Sequence, residues 1–244
     1  MYSVESMATP GMKIVVSKDG PYVVTGGVPL VLQKIVLNKD GYSWDWSEER
    51  RFDTGQSYKL CRCGRSGNKP FCDDAHLKIG FDGTETATRK PFVAQAKTYE
   101  GPTLKLGDAS VLCASARFCH PGGKIWSLVE QSDPASRELA IREAAHCPSG
   151  RLVLHDGETG GVIEEELEPS IGVVEDSPMG YSGPLWVRGG IRIESEDGRP
   201  YEQRNRVTLC RCGASKNKPF CNGGHVVVKF RDGLVDLVRS PNVR

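Results

Sequence analysis

The apolar positions of this chain fall into short runs. "MKIVVS", "VPLVLQKIVL" and "PLWVRGGIRIES" are rich in valine, isoleucine and leucine and are bounded by Gly, Pro and Asp, which predicts short strands joined by turns. One stretch breaks that pattern. In "SDPASRELAIREAAHCPSG", Asp133 stands as an N-cap, Pro134 takes the first helical position and the run stops before Pro148, so a helix is predicted there. "RLVLHD" follows with alternating Leu152 and Leu154 and reads as a further strand. The acidic, glycine-containing "GETGGVIEEELEPS" reads as a linker, with Glu164 to Glu166 as solvated charges. The predicted class is α+β, with β-rich units at either end and the helix between them.

The strand-rich ends are copies of one another. "LCRCGRSGNKPFCDDAH" begins at Leu60 and "LCRCGASKNKPFCNGGH" begins at Leu209, so Cys61, Cys63, Cys72 and His76 recur as Cys210, Cys212, Cys221 and His225 at a constant offset of 149 residues. Upstream, "KDGPYVVTGGVPLV" resembles "EDSPMGYSGPLWV", which starts each copy ahead of its cysteines. The expected division is a first repeat over 11–84, a middle domain over 85–169 and a second repeat over 170–244.

Composition narrows the chemistry. The 244 residues, 38% of them hydrophobic, suffice to bury a core. With 32 Lys and Arg against 31 Asp and Glu, no global field draws the chain to nucleic acid or an anionic membrane. No apolar run is long enough to span a bilayer. "MYSVESMATPGMK" lacks the basic and apolar regions of a secretory signal, so a cytoplasmic address is expected. Nine cysteines in a reducing compartment, an odd number, point to metal or redox chemistry in preference to disulfides.

Residues two apart on an extended segment face the same side, so Cys61 and Cys63, like Cys210 and Cys212, can offer both sulfurs to one metal atom. Cys72 and His76, like Cys221 and His225, lie four apart and meet on a helical turn. Two separate pairs suit a two-iron, two-sulfide cluster, which takes two ligands on each iron. A tetrahedral Cys3His zinc site uses the same ligand types and is the principal rival. Against it, only Arg62 or Arg211 separates the paired cysteines, where zinc sites usually have two to four residues.

The series Cys-x-Cys, Ser, Pro, Cys, Asp or Asn, Gly and His resembles the CDGSH iron-sulfur domain family, mitoNEET-like. The first copy supplies Cys61, Cys63, Ser66, Pro70, Cys72, Asp73 and His76. The second supplies Cys210, Cys212, Ser215, Pro219, Cys221, Asn222, Gly223 and His225. Asp74 stands where the family has glycine, which bears on the local turn. The resemblance implies one [2Fe-2S] cluster per copy, and, because family members are intertwined homodimers, two repeats packed as an intrachain pseudo-dimer. Replacing a thiolate by neutral imidazole removes one negative charge and raises the potential above that of an all-cysteine site. The free ring nitrogen is expected to face solvent and exchange a proton, and strong acid to release the cluster.

Some neighbouring roles stay open in the sequence. Asp73 and Asn222 read as helix caps. Arg62, Arg65, Lys69, Arg211, Lys216 and Lys218 form either a solvated loop or a docking patch, Ser66 and Ser215 can bond sulfide or backbone, and Trp44 and Trp46 read as packing residues.

In the middle segment, "CASARFC" places Cys113 and Cys119 at the outer positions of a Cys-x2-Cys-x2-Cys run whose centre is Ala116, and Cys147-Pro148 follows the helix. This resembles single-cluster bacterial ferredoxins, in which three cysteines hold [3Fe-4S], or divergent relatives that find a fourth ligand elsewhere. Two readings stand: a third [3Fe-4S] or [4Fe-4S] cluster, or a ferredoxin-like α+β segment without one. His120 and His146 read as surface histidines or substitute ligands.

No nucleophile, phosphate loop or catalytic acid pair is legible, so no enzyme is expected. The expectation is a monomeric electron-transfer or redox-sensing protein whose partner is a redox protein. The alternatives are a cluster carrier serving an apo-acceptor and a zinc-stabilised interaction module.

Overall fold

The structure is a computed structural model that describes residues 11–236, 239–241 and 243. Residues 1–10, on which the expectation of no secretory signal rests, lie outside the described residues. In chain order the first repeat forms β1 (Lys13–Val16), β2 (Tyr22–Thr25), β3 (Leu30–Leu37), β4 (Ser43–Arg51), β5 (Ser57–Leu60) and the helical turn α1 (Ala75–Lys78). The middle segment forms β6 (Lys97–Glu100), β7 (Leu104–Asp108), α2 (Ile125–Val129), α3 (Pro134–His146), β8 (Leu152–Asp156) and β9 (Val162–Ile163). The second repeat forms β10 (Ser170–Asp176), β11 (Tyr181–Arg188), β12 (Arg192–Ser195), β13 (Arg206–Leu209) and α4 (Gly224–Val227). The predicted strands and the helix over "PASRELAIREAAH" are all present. Asp133 caps α3, its Oδ1 accepting the Ser136 N–H at 2.9 Å.

The repeats exchange strands. One sheet has the order β12-β1-β2-β5, so three strands of the first repeat are completed by one from the second. The other has the order β13-β11-β10-β3-β4, where the second repeat is completed from the first. Both exchanged contacts are parallel, Ile14 facing Ile193 and Val31 facing Gly172, while the neighbours within each repeat are antiparallel. This is the expected intrachain pseudo-dimer, and its core is shared: Ile14, Val16, Val24 and Leu60 pack with Ile171, Val173, Leu185 and Leu209. The alternation along β1 and β2 puts every second side chain into that core, as a half-buried sheet requires.

The middle segment has its own antiparallel sheet, β6-β7-β8-β9, with α2 and α3 closing a second core of Leu104, Leu106, Ile125, Ala140, Leu152 and Leu154. It is fixed to the repeats by aromatic packing. Phe118 stacks on Trp46 of β4 at 4.7 Å, and Trp46 stacks on Trp186 of β11 at the same distance, which bears out the packing role expected of Trp46. Trp44 lies under the Arg142 guanidinium. Glu164 departs from the solvated reading. It pairs with the buried Arg206 at 2.6 Å because β13 brings an otherwise uncompensated guanidinium to that point.

Candidate metal centres

In each repeat the chain doubles back so that the two halves of the cysteine motif are tied by backbone bonds. The Cys61 N–H donates to Pro70 O and the Cys72 N–H to Lys59 O, both at 2.9 Å; Cys210 to Pro219 and Cys221 to Thr208 repeat this at 2.8 Å. Ser66 and Ser215 settle on the backbone, their hydroxyls donating to Phe71 O at 2.7 Å and Phe220 O at 2.6 Å. Asp73 and Asn222 act one residue earlier than an N-cap bond. Their side-chain oxygens accept the N–H of Ala75 and Gly224 across an Asx-type turn, and Asp74 and Gly223 occupy the cap position itself.

The candidate ligands meet in pairs. Cys61 Sγ lies 3.8 Å from Cys63 Sγ, and Cys210 Sγ lies 3.7 Å from Cys212 Sγ. Cys72 Sγ is 3.5 Å from His76 Nδ1, and Cys221 Sγ is 3.4 Å from His225 Nδ1. Two sulfurs bound about 2.3 Å from one tetrahedral metal stand roughly 3.8 Å apart, and a sulfur and an imidazole nitrogen roughly 3.5 Å apart, so each pair has the bite of one metal atom. Among the described residues only Cys72, Asp74 and His76 bring three ligand atoms within 4.8 Å of one another. In neither repeat, therefore, do the four Cys3His atoms close on a single point as a mononuclear zinc site requires. The donor set and its spacing fit a two-metal group.

Burial sets the electrostatics. It pushes the Cys63 thiol up to about 11 and also raises Cys72 and Cys221. Cys210 is held below the ordinary thiol range, chiefly by its bond to Cys212. Burial, then the charges of Arg211 and Arg117, drives His225 down to about 4, which keeps its imidazole neutral and free to bind metal. Backbone N–H groups of Arg65 and Asp74 point at Cys63 and Cys72 in the first repeat, and that of Gly223 at Cys221 in the second. The expected solvent-facing imidazole is not found. His76 is 8% exposed and His225 3%, because each lies on the inner face of its helical turn while Leu77 and Val227 take the outer face. The His225 ring also packs edge-on to Tyr181.

Arg62 and Arg211 also depart from a solvated loop. Each points inward from between its two cysteines and is almost fully buried. Arg211 bonds the Val174 and Gly183 carbonyls and is flanked by the Glu175 and Asp232 carboxylates. Arg62 instead bonds the Gly20 and Ser17 carbonyls and lies over the Tyr22 and Phe81 rings, with no carboxylate in ion-pair contact among the described residues. The clue in the sequence was an arginine at the same place in both copies. Its burial depended on strands far away in the chain.

In the middle segment Cys113, Cys119 and Cys147 line one recess, about 290 Å³ of empty space with the open solvent at its mouth included, walled by the 113–119 loop, Pro148, Ser149 and Arg151. Burial pushes the Cys119 thiol up to about 12, with Cys147 and Cys113 close enough to add to the shift. His120 lies beside Cys119, its Nδ1 3.2 Å from the sulfur, and His146 turns away to stack on Phe118.

The paired candidate ligands and the family matches together support an iron-sulfur protein. The family model described as iron-binding zinc finger, CDGSH type, matches residues 19–77 and again 182–226, and the model described as divergent 4Fe-4S mono-cluster matches residues 99–157. The chain thus carries two CDGSH-type regions with a divergent 4Fe-4S-type segment between them. No curated protein and no solved structure matches it. Among the described residues no helix is long and apolar enough to cross a membrane.

Proposed function

We propose that the chain binds one [2Fe-2S] cluster in each repeat, through Cys61, Cys63, Cys72 and His76 and through Cys210, Cys212, Cys221 and His225, and serves in electron transfer or redox sensing. The observation that carries this is the pairing of the candidate ligands at 3.4–3.8 Å, with no closure of all four on one point. Cys113, Cys119 and Cys147 hold a third cluster, [3Fe-4S] or [4Fe-4S]; their shared cavity and the match to a 4Fe-4S family support it. A bound cluster supplies a reversible one-electron centre. The neutral histidine lowers the negative charge of the ligand set, and the N–H groups directed at sulfur spread what remains, so the chain's own residues favour the reduced state.

The reading assigns no catalytic side chain, and it takes the chain as a monomer that exchanges electrons with a redox protein. A cluster carrier is the second reading, favoured by the partly exposed Cys72 at the rim of the first site, from which an apo-acceptor could draw the cluster. The test is an anaerobic preparation assayed for visible absorption, iron and acid-labile sulfide. Two [2Fe-2S] clusters give about four of each per chain, and a third cluster gives a clear excess. A colourless zinc protein overturns the reading. A reversible midpoint potential supports electron transfer, and passage of iron and sulfide to an apo-acceptor supports the carrier.

A further inference from the structure

The loop that carries two cysteines of the middle cavity has a second face, and that face lies on the other iron site. A Cβ on Gly223 would run into Ser115 Oγ and stand 3.4 Å from the Cys113 carbonyl oxygen. Gly223 follows Cys221 by two residues, precedes His225 by two, and directs its N–H at the Cys221 sulfur. The loop is held in place by fixed contacts. Arg117 forms a two-pronged ion pair with the buried Asp176 at 2.6 and 3.0 Å and bonds Ser43 at 3.2 Å, while Phe118 is buried against Trp46. Cys221 is left 2% exposed. The corresponding place in the first repeat is open: Asp74 is exposed where Gly223 is buried, and Cys72 is partly exposed.

We propose that the 113–119 loop is a fitted cover over the cysteine–histidine half of the second site, so that this half is open in the first repeat and covered in the second. The departure at Asp74 follows from this. A side chain is admitted at 74, which is exposed, whereas at 223 it would meet the Ser115 hydroxyl and the Cys113 carbonyl at a φ of 80° that itself favours glycine. The covered site retains its group, and exchange with external chelators or acceptors runs through the first site. The consequence for release rests on the two-cluster reading; the geometry of the cover does not.

The test follows the loaded full-length chain exposed anaerobically to a ferrous chelator, with iron release timed and newly freed cysteines alkylated and mapped by mass spectrometry. Cys72, partly exposed, is expected to become labelled first, and Cys221, beneath the loop, in a slower phase. Gly223→Asp, which copies the first repeat, should merge the two phases into the fast one, and Ser115→Gly added to it should restore the slow phase. Ser115 already has φ 56°, which glycine adopts without strain. Arg117→Gln, which leaves both motifs intact, should also speed the second phase. Simultaneous labelling in the parent chain, or an unchanged slow phase in a folded Gly223→Asp chain, overturns the cover. A chain that takes up no iron overturns the cluster reading alone, since the labelling order of the metal-free thiols still decides for or against the cover.

Discussion

Asp74 sits at φ 64°, a conformation that costs a residue with a Cβ roughly 1–2 kcal/mol and glycine almost nothing. The turn ahead of α1 is nevertheless kept, with the Asp74 N–H directed at Cys72 as that of Gly223 is at Cys221. Asp74→Gly is therefore expected to stabilise the folded chain by about 1 kcal/mol in denaturant unfolding. Arg211 makes the opposite case. Truncating it to methionine strands the Glu175 and Asp232 carboxylates in the interior, and a loss of about 3–5 kcal/mol is expected. Arg62→Met strands no carboxylate and should cost less in the same assay. At the ligands, His76→Cys and His225→Cys restore a negative charge, and each should lower the midpoint potential of its own centre.

Among the elements, α3 was legible from its ends, since Asp133 and Pro134 open it and Cys147-Pro148 closes it. Asp133→Ala should cost about 1 kcal/mol, read as a lowered melting temperature, by orphaning the Ser136 N–H. Its inner face holds what the sequence hid. Glu143 is buried, accepts only the Gly122 N–H among the described residues, and is pushed by burial up to about 7. Between the ordinary carboxyl range and about pH 7 the folded chain keeps a proton that the unfolded chain has released, so stability falls as pH rises through that window. At about 1.4 kcal/mol per pH unit its share of the fall is roughly 3 kcal/mol at most, and Glu143→Gln should remove that share from unfolding curves taken from pH 5 to 8, leaving the part due to the buried Glu175, also pushed up to about 7.

On the scale of the whole molecule, the exchanged strands β3 and β12 make each sheet a joint product of the two repeats. A fragment of residues 11–84 would lack β12 beside β1 and β10 beside β3, leaving two parallel edges and half a core exposed. It is expected to unfold without cooperativity or to aggregate, whereas the full chain should show a sharp transition in the same thermal scan. The duplication, the four candidate ligands of each copy, the strands and the capped helix are written locally, because ligand spacing, β-branched runs and cap residues act within a few positions. The inward turn of Arg62 and Arg211, the burial of His225 and the contact of Ser115 with Gly223 are not. They depend on segments dozens of residues or more apart meeting across a shared core, and no local pattern encodes which of two like sites a distant loop will close over. The sequence alone determined the candidate ligand set and its repetition, and tertiary packing decided that two copies of one motif occupy unlike surroundings.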